Sequence, residues 1–84
     1  MSADDLFADG KKLGGEGKYE EAIASYDKAI EIDPKHAKAQ RNKGLALNKL
    51  ERYEDAITCY DKAIEIDQKD VKVLYNKGFA LNEL

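Results

Sequence analysis

Apolar positions along the chain fall in short helical registers separated by polar turns. Ala22, Ile23, Tyr26, Ala29 and Ile30 follow i, i+3, i+4, i+7 spacing, and the register returns from Ala56 to Ile64. Five helices are predicted. The first opens near Ala3, where Ser2 and Asp5 make a capping-box pattern, and sets Leu6, Gly10 and Leu13 on one stripe. Gly14, Gly15 and Gly17 are expected to end it, because glycine is costly in a helix and cheap in a turn. The second spans Glu20 to Ile32, with Glu20 and Glu21 in a first turn whose dipole favours negative charge. Pro34 stops it by removing a donor and disfavouring helix at the residue before it. The third runs from Ala37 to Leu50, with Glu51 and Arg52 as the turn. The fourth runs from Glu54 to Ile66, where Gln68 replaces the proline and softens the stop, and the fifth from Val71 to Leu84. Strand patterns are absent.

The registers are copies. YEEAIASYDKAIEID at Tyr19–Asp33 returns as YEDAITCYDKAIEID at Tyr53–Asp67, a step of 34 residues. KAQRNKGLALNKL at Lys38–Leu50 returns as KVLYNKGFALNEL at Lys72–Leu84 by the same step. A self-match at that period marks a repeat array. The units are 3–36, 37–70 and a half unit, 71–84. Short loops make successive helices antiparallel neighbours. The expected fold is all-α, a right-handed superhelical array of five helices arranged as antiparallel hairpins. The first helix has no earlier unit to lean on and is expected to be the least stable.

The spacing of small and aromatic residues resembles the tetratricopeptide repeat, with its W-x2-L-G-x2-Y, A-x3-F and P elements. Gly10, Gly44 and Gly78 match its glycine, and Ala22 with Tyr26 and Ala56 with Tyr60 match A-x3-F. Ala29 and Ala63 supply a second small contact, and Pro34 matches the final proline. The tryptophan position holds Leu6, Gln40 and Leu74; the leucine before glycine is Asp9, Lys43 and Lys77; the tyrosine is Leu13, Leu47 and Leu81. The resemblance implies an α-solenoid whose first helices line a concave groove for an extended peptide or a partner helix. It does not name the ligand, because a fold hosts many functions.

Charge and composition narrow the classes. A formal net charge of -3 argues against whole-surface binding to nucleic acid or anionic membrane. The single cysteine, Cys59, cannot form an internal disulfide, and no signal peptide or span-length apolar run is visible, so a cytoplasmic setting is expected. One histidine and one cysteine make neither a catalytic pair nor a four-ligand metal set, and no cofactor is implied. Gly14-Gly15-Glu16-Gly17 follows a helix and lacks Lys-Ser/Thr, so it is no phosphate loop. Cys59 reads as a small helix residue, and His36 as a solvated turn residue.

Candidate binding residues lie on a second stripe of the first helix of each unit. In the third helix it reads Lys38, Arg41, Asn42, Leu45, Asn48 and Lys49, beside a packing stripe of Gln40, Gly44, Leu47 and Leu50. In the fifth it reads Lys72, Tyr75, Asn76, Phe79 and Asn82, and in the first Asp4, Phe7, Ala8 and Lys11. Lys11, Lys38, Arg41, Asn42, Leu45, Lys72, Tyr75, Asn76 and Phe79 are the expected groove residues. Amides pair with a peptide backbone, cations with carboxylates, and aromatics offer apolar area. Tyr19–Asp33 and Tyr53–Asp67 each sum to -4, whereas Ala37–Arg52 sums to +4. Either the groove is locally basic and takes an acidic peptide or a free C-terminus, or the charges attract between packed helices. Relatives that dock chaperone tails use a five-residue carboxylate clamp. On this chain it asks for Lys, Asn, Asn, Lys and Arg at Phe7, Lys11, Asn42, Lys72 and Asn76, so only Asn42 and Lys72 agree.

The fifth helix carries Leu74, Gly78, Leu81 and Leu84 toward a helix that does not follow. Either the chain is a piece of a longer array, or a second copy covers the strip and makes a homo-oligomer. The expected function is a non-catalytic protein-interaction module. The alternative is a self-assembling repeat with no peptide of its own.

Overall fold

The computed structural model describes residues 1–84 and consists of five α-helices without strands. They are α1 (Ala3–Gly15), α2 (Tyr19–Ile32), α3 (Ala37–Lys49), α4 (Tyr53–Ile66) and α5 (Val71–Glu83). Each packs on its chain neighbours; in addition α1 touches α3, and α3 touches α5. α1, α3 and α5 therefore line one side of a 36 × 26 × 16 Å slab, and α2 and α4 the other. This is the expected array of helix hairpins.

Helix ends follow from local chemistry. Ser2 Oγ accepts the Asp5 N–H at 3.1 Å, and the Asp5 carboxylate accepts the Ser2 N–H at 3.1 Å, completing the capping box on α1. The Ser2 backbone bond holds the Asp5 carboxyl below its ordinary value. α2 and α4 stop alike, at Asp33 (φ -131°, ψ 92°) and Asp67 (φ -134°, ψ 96°). In each turn the Asp side chain accepts a backbone N–H two residues on, from Lys35 or Lys69, at 3.1 Å. That Asx turn, not Pro34, sets the geometry, because Gln68 replaces the proline and the turn is unchanged.

The glycine cluster behaves differently from the sequence expectation. α1 continues through Gly14 and Gly15, and only Gly17 lies in the turn, with φ +79°. There the Lys18 N–H reaches the Leu13 carbonyl at 2.9 Å and the Gly17 N–H the Gly14 carbonyl at 3.1 Å. Thirty-four residues on, Arg52 to Leu47 and Glu51 to Asn48 repeat the pair at 2.8 and 3.0 Å. Glu51 therefore takes the left-handed conformation, φ +61°, without glycine's freedom. Glu51→Gly is expected to stabilise the protein by about 1 kcal/mol, because the left-handed penalty for an L-residue exceeds the extra entropy of glycine. Urea denaturation checks this; an unchanged or lower midpoint would refute the strain.

The core is built of small residues facing aromatics. Ala22, Tyr26 and Ala29 of α2 are buried, as are Ala56, Tyr60 and Ala63 of α4. The largest cluster joins Leu47, Ala56, Cys59, Tyr60, Ala63, Val73 and Ala80, so α3, α4 and α5 share one interior. Gly10 and Gly44 seat the rings of Tyr26 and Tyr60. Asn48, expected on the groove stripe, borders the depression between α3 and α5 but is largely buried, and its Nδ2 donates to the Tyr60 hydroxyl at 2.8 Å. Burial pushes the Tyr60 hydroxyl well above its ordinary value, as does the nearby Cys59. Cys59 is a buried core residue whose thiol is raised by burial.

Candidate functional site

Two depressions run along the side made by α1, α3 and α5. The first, about 250 Å³, is lined by Lys11, Tyr19, Tyr26, Asn42, Leu45 and Lys49 among others. The second, about 390 Å³, lies between α3 and α5 and includes Leu45, Lys49, Tyr53, Tyr75, Asn76 and Phe79. Leu45 and Lys49 belong to both, so the two join into one trough. Its walls are aromatic and aliphatic, with amides and ammonium groups at intervals and one carboxylate, Glu51, at the α3–α5 end.

Each side chain is held by the repeat. Tyr19 and Tyr53 open α2 and α4 at equivalent positions 34 residues apart and reach the trough beside α1 and α3. Phe79 packs edge-on against Tyr53, with ring centroids 6.3 Å apart. Tyr75 is 77% exposed and stands free at the trough's edge. Lys11 lies 5.7 Å from the Phe7 ring centroid, which restrains a long side chain without neutralising it. Tyr26 borders Asn42; burial raises its hydroxyl, and Asn42 partly opposes the shift.

The expected groove residues thus separate into groups. Lys11, Asn42, Leu45, Tyr75, Asn76 and Phe79 line the trough. Lys38 and Lys72 are exposed but line neither depression. Arg41 is committed elsewhere: its Nη1 meets Asp70 Oδ2 at 2.7 Å, with both side chains largely buried. Burial alone would raise the Asp70 carboxyl, but the Arg41 guanidinium and the Val73 and Lys72 amides outweigh it and hold it below its ordinary value. Asp70 thereby ties α3 to the start of α5. Tyr19 and Tyr53 were not among the expected groove residues. Their recurrence at the heads of two helices was the available signal.

Other charges pair between elements. Lys43 meets Asp27 and Lys77 meets Asp61, each at 2.6 Å, and Arg52 grips Glu20 through two bonds of 3.1 and 3.0 Å. Burial works against the Lys43 charge, but the Asp27 carboxylate outweighs it and raises the ammonium above its ordinary value. So Arg41, Lys43 and Arg52 hold the fold together, which leaves Lys11 and Lys49 as the cations lining the trough. His36 is also recruited, contrary to expectation. Its Nδ1 accepts the Ala39 N–H at 3.2 Å, capping α3, and its Nε2 donates to Asp4 Oδ1 at 2.9 Å. Its ring lies 5.0 Å from that of Phe7, and only 9% of the side chain is exposed.

Screw-related helix hairpins with a side-chain-lined concave face define an α-solenoid of the peptide-repeat class. A tetratricopeptide repeat model matches residues 7–71, and a second of the same description matches residues 59–84. The chain belongs to the tetratricopeptide repeat family. Among solved structures it resembles the second TPR of Spaghetti (RPAP3) bound to HSP90 peptide SRMEEVD, at 30% identity and TM-score 0.95, covering 98% of this chain and 76% of that one. The TPR2AB-domain:pHSP90 complex of yeast Sti1 is 29% identical with TM-score 0.90, over 93% of this chain and 30% of that one. MamA shares the fold at TM-score 0.95 and 23% identity, over 98% of this chain and 45% of that one. This chain thus spans less than half the length of two of these three. No curated protein matches the sequence. No helix is long and apolar enough to cross a membrane.

Proposed function

We propose that this protein is a non-catalytic interaction module whose trough binds an extended peptide carrying apolar and acidic side chains. The observation that supports this is the joined depression in which Asn42 and Asn76 alternate with Leu45, Tyr75 and Phe79, with Lys11 and Lys49 at its walls. Asparagine amides offer a donor and an acceptor to a peptide backbone, and unpaired ammonium groups favour carboxylates. Solved relatives hold the HSP90 peptide SRMEEVD, whose sequence carries three acidic residues. Because only Asn42 and Lys72 match the carboxylate clamp, this trough reads a different peptide from those relatives. A cytoplasmic setting fits the unpaired, buried Cys59.

A peptide array of acidic and apolar heptamers, with SRMEEVD included, tests the reading. Saturable binders are expected whose affinity falls as salt rises, since the trough cations are exposed. Asn42→Ala with Asn76→Ala is expected to weaken them by about tenfold or more, as loss of two backbone-directed hydrogen bonds at about 1 kcal/mol each implies. Absence of any binder, or binding indifferent to both substitutions, would rule out the trough.

A further inference from the structure

The two depressions of the trough are one site built twice, and the copies differ in charge. Moved by the repeat step of 34 residues, Lys11, Tyr19, Asn42, Leu45 and Lys49 of the first become Leu45, Tyr53, Asn76, Phe79 and Glu83. The first four of these line the second depression. A tyrosine and an amide are common to both copies. Lys11 and Lys49, however, give way to Leu45 and Glu83, and Gly17 gives way to Glu51, which also lines the second depression. Lys49 is shared with the first depression, whereas Glu51 and Tyr53 are shared with a third at the head of α4. The first copy is cationic and aliphatic; the second is aromatic and carries a carboxylate.

Glu51 holds its place against the backbone. Its counterpart Gly17 has φ +79°, and Glu51 keeps φ +61°, a conformation free to glycine and strained for any L-residue. Strain kept where glycine would relieve it points to use of the side chain. No ion pair of the fold involves Glu51 or Glu83, whereas Glu20, Asp27, Asp61 and Asp70 are all paired. Both free carboxylates face Tyr53, whose hydroxyl is held above its ordinary value by burial first and then by Glu51 and Glu83. The exposure of Phe79 belongs to this side of the array: it is 47% exposed, and its counterpart Leu45 is 40% exposed although α4 and α5 follow it.

We propose that the depression between α3 and α5 is a subsite for a cationic side chain, lysine or arginine, of the peptide held in the trough. The aliphatic stem lies against the Tyr53 and Phe79 rings, which meet edge-on with centroids 6.3 Å apart. The charge is met by the Glu51 carboxylate and by the ring faces. The subsite rests on the peptide reading of the trough and gives it a direction: an acidic side chain goes to Lys11 and Lys49, and a cationic one to the next depression along. Packed helices lie about 8–10 Å apart, which is about three residues of extended chain at about 3.3–3.6 Å each. The two charges of the peptide are therefore expected about three positions apart.

Labelled heptapeptides of alanine and leucine, with glutamate at the second position and lysine, norleucine or glutamate at the fifth, test this when titrated with the full chain and read by fluorescence anisotropy. Norleucine keeps the stem and removes the charge. The lysine peptide is expected to bind about five- to tenfold tighter than the norleucine peptide, and the doubly acidic peptide weakest of the three. Glu51→Gln is expected to bring lysine and norleucine to near parity while leaving the affinity for the norleucine peptide unchanged. Glu51→Gly is expected to do the same while raising the urea midpoint, a combination that a merely structural carboxylate would not give. Phe79→Leu, which restores the residue of the first copy, is expected to narrow the lysine preference as well. Lysine and norleucine peptides bound alike by the parent chain, or a lysine preference that survives Glu51→Gln, would overturn the subsite and leave the peptide reading standing. Binding of none of the three would also overturn it, and the acidic array then decides separately whether the trough takes a peptide at all.

Discussion

Tyr60→Ala is expected to cost about 3–5 kcal/mol, the usual range for deleting a buried aromatic ring. A domain of 84 residues has about 4–13 kcal/mol to lose, at 0.05–0.15 per residue. The substitution therefore brings the chain close to unfolding at room temperature. Tyr60 is fully buried and sits in the cluster that joins α3, α4 and α5. Its loss opens a cavity that the helices cannot readily close, because Ala56 and Ala63 on the same face of α4 are already fully buried. It also orphans an amide. Asn48 Oδ1 has no partner, so removing the Tyr60 hydroxyl leaves both ends of that buried side chain unpaired. Tyr60→Phe separates the two effects, keeping the ring and removing only the acceptor, and is expected to cost about 1–3 kcal/mol. Stacked repeats lean on nearest neighbours, so α5 should melt with the second hairpin. Urea titration followed by circular dichroism reads both variants. A Tyr60→Ala midpoint close to that of the parent would show that the ring is not what holds the hairpin.

The parts of this molecule legible in the sequence are those that repeat and act locally. The 34-residue step, the A-x3-Y stripe and the glycine opposite it each appear more than once, and each acts within one hairpin. What escaped the reading depends on contacts between distant residues. His36 becomes a cap because Asp4 and Phe7, about thirty positions earlier, hold its ring in place. Arg41 leaves the groove because Asp70 waits at the head of α5. Asn48 lines the trough, but its amide is also tied to the core by the Tyr60 hydroxyl of the next helix. The left-handed Glu51 was open to detection: laid over Gly17 at the repeat step, it stands where glycine's conformation is required. The trough followed the expected stripe at six positions because side chains on α1, α3 and α5 project by helical period alone. Arg41 departed from it because the fold brings the Asp70 carboxylate near.

Gly44→Ala and Gly78→Ala should move stability in opposite directions, although the two glycines occupy one position of the same motif. In an exposed helix interior, alanine exceeds glycine by about 1 kcal/mol. At Gly78 nothing opposes that gain, so Gly78→Ala is expected to stabilise the chain by up to about 1 kcal/mol. At Gly44 the new methyl would lie 2.5 Å from Tyr60 Cε1 and 2.8 Å from Cδ1. The ring cannot retreat, because it is enclosed on all sides and its hydroxyl is fixed to Asn48. Overpacking of this kind costs about 1–3 kcal/mol, which offsets the propensity gain and leaves a net loss of up to about 2 kcal/mol. The difference between the two variants, measured in parallel urea titrations, isolates the close approach of helix to ring from the intrinsic preference of the backbone. Equal shifts of the same sign would mean that Gly44 is there for backbone reasons only.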